Sequence, residues 1–319
     1  MIFRFYCDLS YDGSSRERIK GTTHHPHTYV VAGITGHEDV WNALEPIWAL
    51  VNNHYGVPRF HAAHLNGKTH EYQGWDDNRK IEYSRTLLRL LAMGGRELGV
   101  VASGMFADDY GQVISQTGRQ RFGTPYVACF NSCVTGLARL MANQSPDDKF
   151  AVIIDKDNEW KEAVASFYWL KDESKFAHRE RLLSCTAMSM DDAICLQASD
   201  LVAYEMLKAT EKFRAGNQEF RFPIKSVLKH NMVREAFYDR TYLERLKPWI
   251  ENTALTGRYL VHTPSFERYR QKEIPEELDS FSTLMELVLQ ADPKLVKAAM
   301  EPLVLLYESQ RLSAVPGNS

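Results

Sequence analysis

Apolar and polar residues alternate at the start of the chain in the pattern of a β-strand. The run IFRFYCD, residues 2–8, has a period of two, so Cys7 and Asp8 should face opposite sides of a sheet. A second strand, TYVVAGIT, is predicted at 28–35. The polar stretch between them predicts a hairpin with a long tip, in which the first strand ends on Asp8.

The next part of the chain has helical spacing. Apolar residues recur every three or four positions at 38–54 and at 76–93, and the short segment FHAAHL lies between them at 60–65. The second helix should end at the glycine pair 94–95. We therefore expect a helical insertion at about 36–96, between the second and third strands.

Strands and helices then alternate. We predict strands at 97–106, 150–155 and 181–188, and helices at 125–142, about 159–171 and 193–213. This alternation is typical of βαβ units with parallel strands. Together with the hairpin, it predicts an α/β fold with a mixed sheet in the order β-β-β-α-β-α-β-α. We assign this domain to residues 1–213.

The pattern changes after residue 213 to charged helical segments separated by prolines, such as VLKHNMVREAFY and PEELDSFSTLMELVLQ. We predict a C-terminal helical extension at 214–319. Such helices would bind a protein partner or form a homo-oligomer.

Composition narrows the possible classes of protein. The chain has 319 residues, of which 44% are hydrophobic and 25% charged, as in ordinary soluble domains. There is no apolar run of about 18 residues and no signal-peptide pattern, so we expect a cytoplasmic protein without a membrane partner. The five cysteines form no CxxC pair and lie mostly in apolar runs, which predicts buried reduced thiols.

The net charge of −3 predicts no general attraction to nucleic acid. Binding to DNA or RNA would therefore be local. The best candidate surface is the polar loop after Asp8, which contains Arg16, Arg18 and Lys20. The HHPH group at 24–27 is predicted to be a loop tip rather than a metal site.

Three aspartates are candidates for a shared site. Asp8 and Asp155 end predicted strands, and sites in open α/β sheets lie outside the carboxyl ends of strands. Each also fits the commoner role of a turn or capping residue. Asp200 differs, because it shares an apolar helical arc with Leu196 and Ala203. Its carboxylate should be buried and so needs a cation or hydrogen bonds.

The motifs FYCDLS, FHAAHL, AVIID and LQASDLVAY resemble those of the domain of unknown function 3800 family, which is large and mainly bacterial. Its members carry Asp-Glu-Ser-Gly near the N-terminus, a Phe/Ile-His-Ala segment and a late Gln-Leu-Ala-Asp-Leu-Val-Ala helix. The resemblance covers about residues 1–210 and implies a ribonuclease-H-like core with the ancestry of a metal-dependent nuclease. The residues that match are Asp8, Ser10, His61, Asp155, Gln197 and Asp200.

The chain departs from the family pattern at two positions of the first motif. Leu9 stands where the family usually has Glu, and Tyr11 where Gly is common. Ribonuclease-H-like nucleases also usually draw a carboxylate from the first core helix, whereas TPYVACFNSCVTGLARLMA contains no acid.

The resemblance implies a metal-dependent nuclease that cleaves phosphodiester bonds. Carboxylates from three separate elements suit Mg²⁺ or Mn²⁺, and two such ions about 3.5–4 Å apart would activate water and stabilise the leaving oxygen. Asp8, Asp155 and Asp200 are then the predicted metal ligands. Ser10, Lys156 and Gln197 are supporting residues.

His61 has several open roles. It would bind metal, protonate the leaving group or contact phosphate, and a purely structural role is equally open. His64 is a weaker candidate of the same kind. The alternative for the whole protein is a catalytically inactive ribonuclease-H-like binding or scaffold module that acts with a protein partner.

Overall fold

A computed structural model of the chain describes residues 1–11, 27–144, 147–156, 159–174, 176–216 and 232–252. Within these ranges six strands form one mixed sheet. The strands are β1 (Ile2–Tyr11), β2 (Thr28–His37), β3 (Leu98–Phe106), β4 (Lys149–Asp155), β5 (Leu182–Met188) and β6 (Met232–Tyr238).

Helices cover both faces of this sheet. Before β3 lie α1 (Glu38–Tyr55), α2 (Ala62–Gly67) and α3 (Asp77–Gly94). Between β3 and β4 lie α4 (Ala107–Val113), α5 (Gln116–Phe122) and α6 (Pro125–Gln144). The later helices are α7 (Trp160–Asp172), α8 (Leu196–Arg214) and α9 (Arg240–Asn252). Single 3₁₀ turns occur at His70–Tyr72, Gly95–Glu97 and Arg179–Arg181.

The strand order is β5-β4-β1-β2-β3-β6. Strand β2 is antiparallel to its neighbours β1 and β3, while β4 and β5 continue the sheet parallel to β1, and β6 is parallel to β3. The carboxyl ends of all the described strands except β2 therefore lie at the same edge, which we call the carboxyl edge. This is the edge where sites of open α/β sheets form.

Alternation along β1 divides the core into two parts, as the sequence predicts. Phe5 and Cys7 are buried in the cluster that contains α6 and α7. Tyr6 is buried in the cluster on the other face, with α1, α3 and α8. The side chain of Asp8 has the same parity as that of Tyr6, so it faces the side covered by α8.

Strand β1 is longer than predicted. It continues to Tyr11, because the alternation extends through Leu9 and Ser10 and β2 pairs with it up to Tyr29. Asp8 is therefore not the last residue of the strand. Its pairing with β4, however, stops at Cys7 and Ile154, so Asp8 is the first residue of β1 beyond that ladder.

Two further differences concern helices and strands. The segment VLKHNMVREAFY is predicted to be helical, yet its part 232–238 is a strand that pairs with β3. The sheet edge offered by β3 outweighs the helical propensity of a charged segment. Helices α4 and α5 were not predicted, because helices of seven residues are too short to show a clear period. Elsewhere in the predicted extension, 240–252 is helical (α9), as predicted, whereas 217–231 and 253–319 lie outside the described residues.

The composition-based predictions on cysteines hold. All five cysteines are buried and form no disulfide bond. Separately, no helix in the described ranges combines the length and the apolar character needed to cross a bilayer.

Gly33 of β2 pairs with Cys7 of β1. A Cβ atom at Gly33 would lie 1.9 Å from the Tyr6 carbonyl oxygen and 2.6 Å from the Cys7 Cα. Both are backbone atoms, so a side chain here would push β1 away from β2.

Gly33→Ala should lower the free energy of unfolding by about 3 kcal/mol or more, because the added methyl group cannot be accommodated without moving the backbone. Urea denaturation measures this change. Gly67→Ala is the matched control, because a Cβ at Gly67 would meet only Thr69 atoms at 3.6 Å or more. Equal stability of the two variants would contradict the close approach.

Candidate functional site

Helix α8 carries the most specific sequence motif and packs across β1 and β2. The predicted apolar arc is buried: Leu196 and Ala203 are fully buried, and Asp200 is 4% exposed. The mid-helix carboxylate therefore lies in the interior, as the helical spacing predicts.

Ser199 attaches α8 to β1. Its hydroxyl, which is fully buried, donates a hydrogen bond of 2.7 Å to the carbonyl oxygen of Tyr6. Tyr6 precedes Asp8 by two residues on the same strand. This bond therefore fixes the residue next to Asp200 close to the part of β1 that carries the first acid.

Gln197 is the centre of a buried hydrogen-bond network. Its Oε1 accepts from Trp48 Nε1 at 3.0 Å, from Asn52 Nδ2 at 2.9 Å and from the backbone N–H of Phe60 at 2.8 Å. Its Nε2 donates to the carbonyl of Met190 at 3.3 Å. Gln197 thus links α8 to α1 and to the extended segment 60–62, which indicates a structural role.

Asp200 holds the same segment from its other end. Its Oδ2 accepts a short hydrogen bond of 2.6 Å from the backbone N–H of Ala62, the first residue of α2. The same oxygen lies 3.4 Å from Nδ1 of His61, a distance suited to an ion pair but without the alignment of a hydrogen bond. Two of the quoted motifs, FHAAHL and LQASDLVAY, are therefore in direct contact.

The Asp200 carboxylate alters the titration of His61. Burial by itself lowers the pKa of His61, but the interaction with the nearby Asp200 carboxylate outweighs burial and raises the pKa above the usual 6.5. The imidazole side chain remains 30% exposed. His61 is therefore a partly accessible, more basic histidine held by a buried carboxylate, an arrangement suited to proton transfer.

Asp8 and Asp155 lie side by side at the carboxyl edge. The parallel ladder between β1 and β4 pairs Cys7 with Ile154, and each acid is the next residue of its strand. Neighbouring strands are about 4.8 Å apart, and residues in register point to the same face. Asp8 is 7% exposed, and Asp155 is half-buried. A divalent cation of the magnesium type binds through such carboxylate oxygens.

The three predicted metal ligands do not form one compact group. Among the described residues, the triad whose ligand atoms all lie within 4.8 Å of one another consists of His64, His70 and Glu71. Asp200 instead uses Oδ2 for Ala62 and His61. The structure thus places Asp8 and Asp155 on neighbouring strands, and Asp200 in contact with His61.

The imidazole rings of three histidines stack on one another. They are His61, His64 and His70. The ring centroids of His61 and His64 are 3.9 Å apart, and those of His64 and His70 are 4.0 Å apart. Burial, followed by the charges of His61 and His70, lowers the pKa of His64 below 6.5. His64 is therefore neutral at neutral pH. By sequence His64 is only a weak candidate, and His70 and Glu71 are not predicted, although the spacing H-x₂-H-x₅-HE is visible in the chain.

The remaining predicted residues are placed as follows. Ser10 is half-buried and pairs with Val30 across the sheet. Lys156 is exposed, while its backbone N–H donates to the Met188 carbonyl. On α6, where an acid was sought, Asn131 Oδ1 accepts from Ser166 Oγ at 2.8 Å. The loop with Arg16, Arg18 and Lys20, and His24 and His25 of the HHPH group, lie outside the described residues.

Comparisons of the chain with models of protein families, with curated proteins and with solved structures gave no match. The resemblance to the domain of unknown function 3800 family stays a prediction from the sequence motifs.

Gln197→Met should lower the free energy of unfolding by about 3 kcal/mol or more, because it keeps the volume but leaves the three donors on Trp48, Asn52 and Phe60 without an acceptor. Gln73→Met is the control, since Gln73 is exposed. Chemical denaturation compares them. A Gln197 variant as stable as the control would show that the network contributes little.

Asp200→Asn should lower the pKa of His61, because it removes the charge that raises it while keeping an oxygen for the N–H of Ala62. A raised histidine pKa stabilises the fold below the unfolded value and loses that contribution as pH rises through the folded value, so this variant also loses stability at acid pH. NMR titration of the His61 ring in chelator measures the shift. The control is Asp39→Asn, which removes the carboxylate beside His37 and should leave the pKa of His61 unchanged. If the pKa of His61 is the same in wild type and in Asp200→Asn, the pairing of His61 with Asp200 is contradicted.

Proposed function

We propose that this protein is a metal-dependent hydrolase of nucleic-acid phosphodiester bonds. The observation that carries the proposal is the adjacency of Asp8 and Asp155 on parallel strands at the carboxyl edge of the sheet. Hard divalent ions such as Mg²⁺ and Mn²⁺ prefer carboxylate oxygens, and two aspartates that directly follow the β1–β4 ladder present such oxygens from neighbouring strands.

The order of elements supports the same class. With the insertion α1–α3 and the short helices α4 and α5 set aside, the chain runs β-β-β-α-β-α-β-α from β1 to α8. This is the order that the resemblance implies for a ribonuclease-H-like core. Helix α8 then contributes the third acid, Asp200, next to the serine that is bonded to β1.

The residues present fit a magnesium or manganese ion. Asp8 and Asp155 would hold it, while Asp200 remains engaged with Ala62 and His61. When bound, such an ion supplies an activated water and neutralises charge on the phosphate. The protein's own contribution is to hold two carboxylates in register and to exclude water from Asp8, which is almost fully buried.

His61 is the proton-transfer residue in this proposal. Asp200 lies 3.4 Å from its Nδ1 and keeps the partly exposed ring oriented for proton donation to the oxygen of the leaving group. The exposed side chain of Lys156, next to Asp155, is placed to contact a phosphate of the substrate. The net charge of −3 limits attraction to such local contacts.

Asp8→Asn and Asp155→Asn should each reduce cleavage by about 100-fold or more, because each removes a charged ligand of the cation. Labelled single- and double-stranded DNA and RNA are incubated with Mg²⁺, Mn²⁺ or chelator. Asp191→Asn is the control, since Asp191 forms an exposed pair with Arg59. Cleavage that is absent from wild type with every metal, or equal in all variants, would refute the proposal.

A second candidate is a nucleic-acid-binding or scaffold module without activity. The observation that favours it is that Asp200 is engaged in holding α2 and His61, and that α6 contributes no acid. Gel-shift assays in chelator separate the two candidates. Wild-type protein that binds nucleic acid but does not cleave it with any metal supports the module.

A further inference from the structure

We propose that His64, His70 and Glu71 form a second metal site, which binds a divalent transition-metal ion of the zinc type. One ligand atom from each residue lies within 4.8 Å of the other two. The three residues belong to the helical insertion. They are separate from Asp8 and Asp155, which lie near the ends of β1 and β4 and which we call the strand-end acids. The proposal therefore does not depend on the function proposed above.

The donor set selects the class of metal. Two imidazoles and one carboxylate are the protein ligands of zinc sites that keep an open position for water or substrate, and of related iron sites. Mg²⁺ and Ca²⁺ prefer oxygen ligands throughout. The His64–His70–Glu71 group should therefore favour Zn²⁺ or Co²⁺ over the ion proposed for Asp8 and Asp155.

The facing atoms of His64 and Glu71 support a shared ligand. His64 Nδ1 and Glu71 Oε1 are shielded from solvent, have no hydrogen-bond partner within the described part of the chain and lie 3.7 Å apart. Buried polar atoms without partners are rare and call for an explanation. Two ligands of one tetrahedral ion at about 2.0–2.1 Å lie roughly 3.3 Å from each other. A small contraction would let both atoms bind the same cation.

The backbone between the two histidines returns the chain to α2. Lys68, with φ of 49°, ends α2, and His70, with φ of 55°, begins the following turn. The N–H of Thr69 donates to the His64 carbonyl at 3.0 Å, which closes the loop. Left-handed conformations are uncommon for residues other than glycine and are often kept at functional sites. Here they carry His70 and Glu71 back beside His64.

His61 borders the site without belonging to the triad. Its ring stacks on His64 at 3.9 Å and limits the rotation of that ligand. His61 is in turn held by Asp200. The proposed metal would therefore be coupled through one imidazole to helix α8, which makes its ligands more rigid than those of a surface loop.

Co²⁺ titration of the full-length protein tests the proposal, because a four-coordinate Co²⁺ ion gives strong visible absorption and Zn²⁺ should displace it. We expect one strongly absorbing, four-coordinate ion per chain. His64→Gln, His70→Asn and Glu71→Gln should each weaken binding by about 100-fold or more, since loss of even an outer-sphere partner costs about 10- to 100-fold. Asn is chosen at His70 because it tolerates the left-handed conformation.

Three controls make the result specific. The triple variant His24→Gln/His25→Gln/His27→Gln removes the other histidine cluster of the sequence, and Asp8→Asn/Asp155→Asn removes the strand-end acids; both should bind Co²⁺ as wild type does. In chelator, the three ligand variants should have wild-type circular dichroism. Zn²⁺ should raise the thermal unfolding temperature of wild type but not of Glu71→Gln.

The proposal is overturned if wild type binds no Co²⁺, if the ligand variants bind it as tightly as wild type, or if only the strand-end or the 24–27 variant loses it. Loss of nuclease activity in Asp8→Asn with intact Co²⁺ binding would separate the two sites. Retained Co²⁺ binding in a protein without nuclease activity would refute the proposed function and leave the histidine site standing.

Discussion

The buried polar side chains of helix α8 fix the arrangement of the rest of the molecule. Gln197 accepts three hydrogen bonds in the interior, and Ser199 and Asp200 satisfy a carbonyl and an N–H of other elements. Each of these hydrogen bonds contributes only modestly to the free energy of unfolding. A buried donor or acceptor left without its partner, however, destabilises the fold by more than the bond contributes. The sheet, α1 and the segment before α2 can therefore pack against α8 in only one register, and that register places His61 against Asp200.

This constraint links the two chemical parts of the molecule. Asp8 and Asp155 directly follow the β1–β4 ladder, whereas the histidines belong to the insertion, whose helix α1 packs on β1 through Trp41. Gln197 and Asp200 bind the backbone of Phe60 and Ala62 in the insertion, and so connect the insertion to α8. Ser199 in turn connects α8 to β1. The LQASDLVAY motif, which by sequence suggests metal ligation, thus also positions His61, the residue that we propose to transfer protons.

Much of the fold could be predicted from the sequence, because period and parity are local properties. The alternation in β1 and the apolar arc around Asp200 correctly predicted which faces are buried. Strand β6 could not be predicted, because its state depends on the open edge of β3 rather than on its own charged residues. The extent of β1 was misjudged for a similar reason: β2 prolongs it beyond Asp8.

The candidate site was predictable only in part. Positions at strand ends pointed to Asp8 and Asp155, but the partners of Asp200 are separated from it by about 140 residues and follow from packing. His70 and Glu71 could not be predicted because the turn that places them beside His64 has left-handed backbone at Lys68 and His70. That conformation is uncommon for residues other than glycine.

In the proposed site, Asp8 and Asp155 together hold a divalent ion at the carboxyl edge. Crystals soaked in Mn²⁺ and measured for anomalous scattering test this directly. We expect an anomalous peak between the two carboxylates, with oxygen ligands at about 2.0–2.6 Å, that is lost in Asp8→Asn. Full Mn²⁺ occupancy elsewhere with no peak between Asp8 and Asp155 would contradict it.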